Sequence, residues 1–329
     1  MAVVLPPPVK AGDAVSIVAP ASDVDFEILE RAVTILRSWG LEPIVHPQVY
    51  ERFGYTAGSD EERAQGIVDA FDDARTTAVI CANGGYGCTR LTAFLSAKKL
   101  GPHNAPRKRF FGFSDITAIH SAMRIAVPGY VSFHAPMPAS LAFQSSTDES
   151  KDALRRALFS SSLKDACPPL KGRCLQIGRA KFSGGIVSGR LIGGNLTLMS
   201  SIVGTVWGEE LEDCILLLED VDEPLYKLDR MLTQLFNSKG GLSSVDRLAA
   251  LVLGDFGDAF KSATTKELVG EDMEEVDVKS WFWLEQLGLL GDLPILIDIP
   301  VGHIDNNRVL ALGAFAEIDL IAGEIRPLL

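Results

Sequence analysis

Short apolar runs alternate with helical patterns through the first 140 residues, and that rhythm restricts the fold more than any other feature of the chain. Ala14–Ala19 is β-rich and ends at Pro20-Ala21-Ser22. A helical pattern follows from Asp23 or Asp25 to Trp39 and stops at Gly40. Leu41–Val45 reads as a second strand. Ser59 and Glu62, three apart, carry the signature of a capping box for a helix reaching Asp73. Thr76–Ala82 is a buried strand that opens into Asn83-Gly84-Gly85-Tyr86-Gly87. Arg109–Phe113 is another, leading into Ser114-Asp115-Ile116-Thr117 and a helix to Ile125. Strands alternating with helices make an α/β domain, a parallel sheet with helices on both faces.

From residue 141 to 180 the rhythm breaks into a polar stretch rich in Ser, Lys and Arg, with the pair Pro168-Pro169. A chain of 329 residues is comfortable for two domains, so the expected division is 1–145, a crossing at 146–180, and 181–329. In the second part Gly184–Leu191 reads as a strand, Gly193-Gly194-Asn195 as a turn and Leu196–Val203 as a helix. Cys214–Leu218 is an apolar strand closing at Glu219-Asp220, and Pro224 opens a helix where its missing N–H costs nothing. Leu248–Leu253 and Ile295–Ile299 are further strands, the latter delivering Pro300-Val301-Gly302-His303. Arg308–Leu312 begins a β-rich end, and 259–281 reads as an acidic surface excursion.

A net charge of -12 repels phosphate backbones and anionic lipid, which argues against nucleic-acid or membrane binding. The N-terminus, with three prolines and no basic start before an apolar run, reads as neither a signal peptide nor an anchor. The five cysteines are odd in number and lack metal-ligand spacing, so free thiols in a reducing, cytoplasmic setting are expected, with no metal and no cofactor.

Ligands of open α/β sheets bind at the carboxyl ends of strands, and four polar constellations fall at such places. A serine at a strand-to-helix turn, as in Gly112-Phe113-Ser114-Asp115, can expose its hydroxyl as a nucleophile, with the next N–H as an oxyanion donor; a plain helix cap is the simpler reading of the same residues. Gly84-Gly85-Tyr86-Gly87 leaves backbone N–H groups free to approach an anion, or is a tight turn. Glu219 ends a core strand, where a carboxylate pairs with a cation or orients a histidine. His303 alone among the five histidines follows a strand and a glycine in the second half, and an imidazole there can carry a proton to and from a serine. His46, His103, His120 and His134 read as structural or surface residues.

Taken in order, Ala19-Pro20-Ala21-Ser22, Gly84-Gly85-Tyr86-Gly87 with Arg90, Gly112 to Thr117, Leu218-Glu219-Asp220 with Asp229-Arg230-Met231, and Gly302-His303 resemble the LD-carboxypeptidase family, over nearly the whole chain. That family includes murein tetrapeptide carboxypeptidases and microcin C immunity peptidases. The resemblance implies an N-terminal flavodoxin-like α/β domain, a C-terminal β-rich domain of swivelling character, and a homodimer. It also implies a triad of Ser114 as nucleophile, His303 as base and acid, and Glu219 as the group orienting the imidazole. The N–H groups of Gly85 and Asp115 would form the oxyanion hole, and Asn83, Tyr86, Arg90 and Asn195 would face substrate. The implied reaction releases a terminal D-alanine from a cytoplasmic murein tetrapeptide, as in peptidoglycan recycling. The chain departs from the family at Asn83, where Arg is frequent, at Ile304, where Gly is common, and at Leu310-Ala311-Leu312-Gly313, which lacks a Pro. Three other readings stay open. One is the same chemistry on a peptidyl- or aminoacyl-nucleotide, with Trp207 or Phe182 stacking on the base; the others are a non-catalytic nucleotide-binding module and a cysteine amidohydrolase using Cys88.

Overall fold

The computed structural model describes residues 3–95, 107–237, 247–260, 278–286 and 290–328. Most of the 259–281 excursion, and His103, lie outside them. The chain forms two sheets. The first is built from Ala14–Val18 (β1), Glu42–Val45 (β2), Thr76–Cys81 (β3), Arg109–Gly112 (β4) and Ser132–His134 (β5). The second takes Leu170–Lys171 (β6), Arg173–Gln176 (β7), Ile186–Asn195 (β8), Cys214–Glu219 (β9), Ala250–Leu253 (β10) and Ile295–Ile297 (β11). Leu310–Leu312 (β12) returns to the first sheet, and Phe315–Asp319 (β13) and Glu324–Pro327 (β14) complete the second.

The first sheet has the order β12-β5-β4-β3-β1-β2, parallel throughout except for β12, which runs antiparallel to β5. Its central strands are buried at every position except the half-buried Thr77, as the apolar runs require. The helix Phe26–Ser38 (α1) buries Ile28, Leu29, Ala32, Val33 and Leu36, a stripe at helical spacing, and Asp25 caps its start. The helix Asp60–Asp72 (α2) begins with the expected capping box: Ser59 and Glu62 bond each other's backbone N–H. The second sheet has the order β6-β14-β13-β8-β9-β10-β11-β7, with a parallel centre and antiparallel flanks. The parallel first sheet and β-rich second part agree with the fold implied by the family resemblance.

The residues between 146 and 180 pack a helix on the first sheet and supply β6 and β7 to the second. The helix Asp148–Phe159 (α4, after Thr117–Ala126 as α3) buries Ala153, Leu154, Ala157 and Leu158 in the core beneath β1 and β3. Arg109 on β4 is fully buried and donates to the carbonyls of Pro6, Ala157, Leu158 and Ser160. It therefore ties the amino-terminal segment and α4 to the sheet through a buried charge, and burial pulls its pKa down to about 10.

Gly193-Gly194-Asn195, expected as a turn, is instead the carboxyl end of β8, paired through Asn195 with Glu219. Gly193 and Gly194 take φ values of 114° and 140°. A Cβ at Gly193 would run into the Leu217 carbonyl, and one at Gly194 would sit 2.5 Å from the Thr117 hydroxyl. The glycines thus serve close packing of β8 on β9 and on α3. Among the described residues, no helix is long and apolar enough to cross a membrane.

Candidate active site

Ser114 sits where β4 gives way to a short helical turn and α3, and its backbone φ is 61°. A left-handed conformation at a residue bearing a Cβ is strained by roughly 1–2 kcal/mol, and such strain concentrates at functional turns. Gly112 gives the turn room, since a Cβ there would lie 2.8 Å from Ile116. Beneath the turn, fully buried His120 donates from Nε2 to the Gly112 carbonyl at 2.8 Å and accepts at Nδ1 from the Ser132 hydroxyl at 2.8 Å.

Glu219 ends β9 in the second sheet and is fully buried. His303 follows β11 on a loop held by Gly302, whose N–H donates to Asn307 Oδ1 at 3.1 Å. Gly302 has φ 126°, and a Cβ there would stand 3.1 Å from Glu219 Oε2. Only a bare backbone passes this closely to the carboxylate.

The three side chains meet. Nδ1 of His303 lies 2.9 Å from Oε2 of Glu219, and Nε2 lies 3.0 Å from Oγ of Ser114. Burial alone would raise the Glu219 pKa, but the charge of His303, the neighbouring His134 side chain and the hydrogen bond of His303 together outweigh it and hold the carboxyl down at about 2. An ionised carboxylate only accepts, so Nδ1 carries a proton, and in the neutral ring Nε2 accepts from the serine hydroxyl. Burial would likewise depress His303. The facing Glu219 carboxylate reverses this and raises it above the ordinary histidine value, with Asp220 and Asp222 adding to the effect. The arrangement can take a proton from Ser114 and stabilise the resulting imidazolium.

The glycine loop lies against the serine: a Cβ on Gly84 would be 3.2 Å from Ser114 Cβ. The Asp115 carboxylate accepts the Cys88 N–H at 2.7 Å, tying this loop to the serine turn. Gly85 has φ 104°, and a Cβ there would collide with the Ser22 side chain. Among the described residues its N–H has no hydrogen-bond partner. With this N–H in the oxyanion role that the family resemblance implies, Gly85→Ala is expected to displace it and lower kcat by about 100–1,000-fold. Steady-state kinetics beside a thermal melt of the same variant checks this.

The remaining expected site residues are engaged in local structure. Asn83 Oδ1 accepts the Gly84 N–H at 2.8 Å. Arg90 is paired with Asp60 at 2.9 Å. Tyr86 is half exposed, its ring edge-on to Tyr55 at 5.5 Å. Asn195 is buried, accepting the Leu198 N–H to start the helix Leu196–Ile202 (α5, followed by Leu225–Asn237 as α6) and donating to Asp220. Its amide is thus occupied within the fold. Cys88 is buried, and burial pushes its thiol well above the ordinary value, which removes it as a nucleophile. All five cysteines are free thiols.

His134, read from the sequence as structural or surface, is fully buried at the end of β5, its Nε2 3.7 Å from Glu219 Oε1. The signal that marked His303, a strand and then a glycine before the histidine, is absent from Phe133-His134-Ala135-Pro136, where the histidine itself ends the strand.

Comparison with known proteins places these residues in context. Residues 15–135 match a family model described as the LD-carboxypeptidase N-terminal domain, and residues 188–318 match the LD-carboxypeptidase C-terminal domain. The murein tetrapeptide carboxypeptidase of Pseudomonas aeruginosa is 31% identical over 93% of this chain and 92% of its own length. The crystal structure of the muramoyltetrapeptide carboxypeptidase from Oxalobacter formigenes superposes with a TM-score of 0.73 at 27% identity, over 95% of this chain and 97% of that one. A structure of MccF in complex with glutamyl sulfamoyl guanosine matches with a TM-score of 0.76 over 98% of both chains, and at 19% identity this is a likeness of fold.

Proposed function

We propose a function from the premise that the chain belongs to the LD-carboxypeptidase family: it is a serine carboxypeptidase that releases a terminal D-alanine from murein tetrapeptide through Ser114, His303 and Glu219. The observation that carries the mechanism is the unbroken hydrogen-bond chain from Ser114 Oγ through His303 to Glu219, set on a strained serine turn. The relatives named for murein or muramoyl tetrapeptide support the substrate class.

In the first half-reaction Ser114 Oγ bonds to the carbonyl carbon on the L-side of the scissile amide, and its proton passes to His303 Nε2. The carbonyl oxygen becomes an anion facing the N–H groups of Gly85 and Asp115. As the C–N bond breaks, His303 returns the proton to the departing amine of D-alanine. Water then attacks the ester, gives one proton to His303, and the C–O bond breaks with that proton restored to Ser114. Glu219 remains ionised throughout, consistent with a pKa held at about 2. Such a cycle needs only water and the peptide, and suits the processing of murein peptides returned to the cytoplasm.

Cleavage of an aminoacyl-nucleotide by the same chemistry would need an aromatic platform for the base. Trp207 is buried at 3% exposure, its carbonyl taken by the Ser121 hydroxyl. Phe182 precedes the amino end of β8, while Asn195 at the other end pairs with Glu219, so it stands roughly 30 Å of strand away from the triad. Neither residue can stack over Ser114. Murein tetrapeptide and an aminoacyl sulfamoyl nucleotide are incubated separately with the protein, and products are followed by mass spectrometry. D-Alanine release from the tetrapeptide is expected. Turnover of the nucleotide conjugate alone would overturn the substrate assignment.

A further inference from the structure

His134 occupies the carboxyl end of β5, beside the strand that delivers Ser114, with Gly112 as its register partner. Its side chain is fully buried, and neither ring nitrogen has a hydrogen-bond partner among the described residues. Oε1 of Glu219, the oxygen that His303 does not use, is buried and unpartnered in the same way. These two unpartnered groups are 3.7 Å apart. A histidine retained for packing alone finds partners, as His120 does at both nitrogens. Buried polar groups left unpaired are costly, so two of them facing each other mark a contact the fold is built to make.

We propose that His134 is a positioning residue for the catalytic carboxylate, donating from Nε2 to Oε1 of Glu219 and so keeping Oε2 aimed at Nδ1 of His303. A shift of under about 1 Å brings the pair to hydrogen-bond distance, and such contacts tighten when charge develops during reaction. The need is physical. The terminal torsion of a glutamate is broad, so a carboxylate bonded at one oxygen swings. Gly254 and Gly302 crowd Glu219 with backbone but give it no direction; a Cβ on either would lie 3.1 Å from it. Phe113, the residue before the nucleophile, packs its ring 5.6 Å from His134 and 4.8 Å from His303, fixing both imidazoles. The contact also bridges the two sheets, because His134 belongs to the first and Glu219 to the second.

This inference rests on the reading of Ser114, His303 and Glu219 as a triad, so its test includes a readout independent of the natural substrate. The rate at which a fluorophosphonate labels Ser114 is measured for wild type, His134→Phe and His134→Gln, with Ser114→Ala as control, beside melting temperatures and D-alanine release from murein tetrapeptide. His134→Phe keeps an aromatic ring against Phe113 and removes the donor. It is expected to slow labelling and kcat by about 10–100-fold, as when an outer partner of an essential group is lost, with KM unchanged. His134→Gln carries an amide N–H near the place of Nε2 and recovers most of the rate. Labelling of His134→Phe at the wild-type rate would overturn the proposal, as would a His134→Gln variant no faster than His134→Phe at equal stability. Labelling of Ser114→Ala as fast as wild type would overturn the triad itself. Intact labelling without D-alanine release would overturn only the substrate, and the labelling rates still decide His134.

Discussion

Ser114→Ala is expected to retain the fold and to lose D-alanine release by on the order of 10⁴–10⁶-fold, because no other group can form the acyl bond. The hydroxyl is the only group removed. Alanine keeps the Cβ, and with it the strain of φ 61° at this turn. The residual rate is that of a site still able to bind substrate and stabilise an oxyanion. Initial rates by mass spectrometry decide the matter: a variant holding more than about 1% of wild-type kcat would sink the covalent mechanism. Stability supplies an independent readout of the same turn. Ser114→Gly relieves the left-handed strain, offset in part by the added freedom of glycine in the unfolded chain. It should therefore be more stable than Ser114→Ala by up to about 1 kcal/mol in urea denaturation. Equal stability of the two variants would mean that the turn stores no strain.

Glu219→Gln should lower kcat by about 10³–10⁴-fold while leaving the shape of the site nearly unchanged. The amide can present its NH₂ to His303, which favours the wrong tautomer, and it supplies no charge for the imidazolium. The pH profile carries the sign. His303 is raised above its ordinary value chiefly because Glu219 reverses the effect of burial. A raised histidine stabilises the fold fully below its unfolded pKa, and that contribution is lost as pH climbs through the folded value. Activity makes the opposite demand, since only the neutral ring accepts the serine proton. The kcat/KM of the wild type should thus rise with pH through a value above the ordinary histidine range. In Glu219→Gln, with burial now unopposed by the carboxylate, the same limb should move to lower pH. A limb that stays in place would show that Glu219 does not set the charge of His303. The Glu219 carboxyl, held at about 2, contributes stability above its unfolded pKa that disappears only as pH falls toward that value.

The strands and caps of the first half could be read from residues because their causes are local. Asp25 and Ser59 cap helices through their own side chains, and apolar runs such as Thr76–Cys81 are buried on both faces in a parallel sheet. The positions of Ser114, Glu219 and His303 were also readable, each being a reactive group at the end of an apolar strand, and order along the chain tied them to a family. Gly193-Gly194 was misread because a glycine pair has one appearance in a turn and in a strand crowded by a neighbouring backbone.

Arg90 and Asn195 looked available in the sequence and are engaged with Asp60 and Asp220. His134 looked unremarkable and stands beside Glu219, its ring nitrogens without a hydrogen-bond partner among the described residues. Local pattern cannot foresee such pairings, since each depends on which distant strand arrives at the same end of a sheet. Ser114 and His303 are 189 positions apart, and Glu219 and His303 are 84 apart. They meet because the two sheets pack with their strand ends together, the Asn195 N–H donating to Thr117 Oγ1 at 3.0 Å across the join. Residue order therefore set which groups could react and where strands would end. The packing of one sheet on the other set which of those groups share protons, because hydrogen bonds and charges act over a few ångströms and know nothing of separation along the chain.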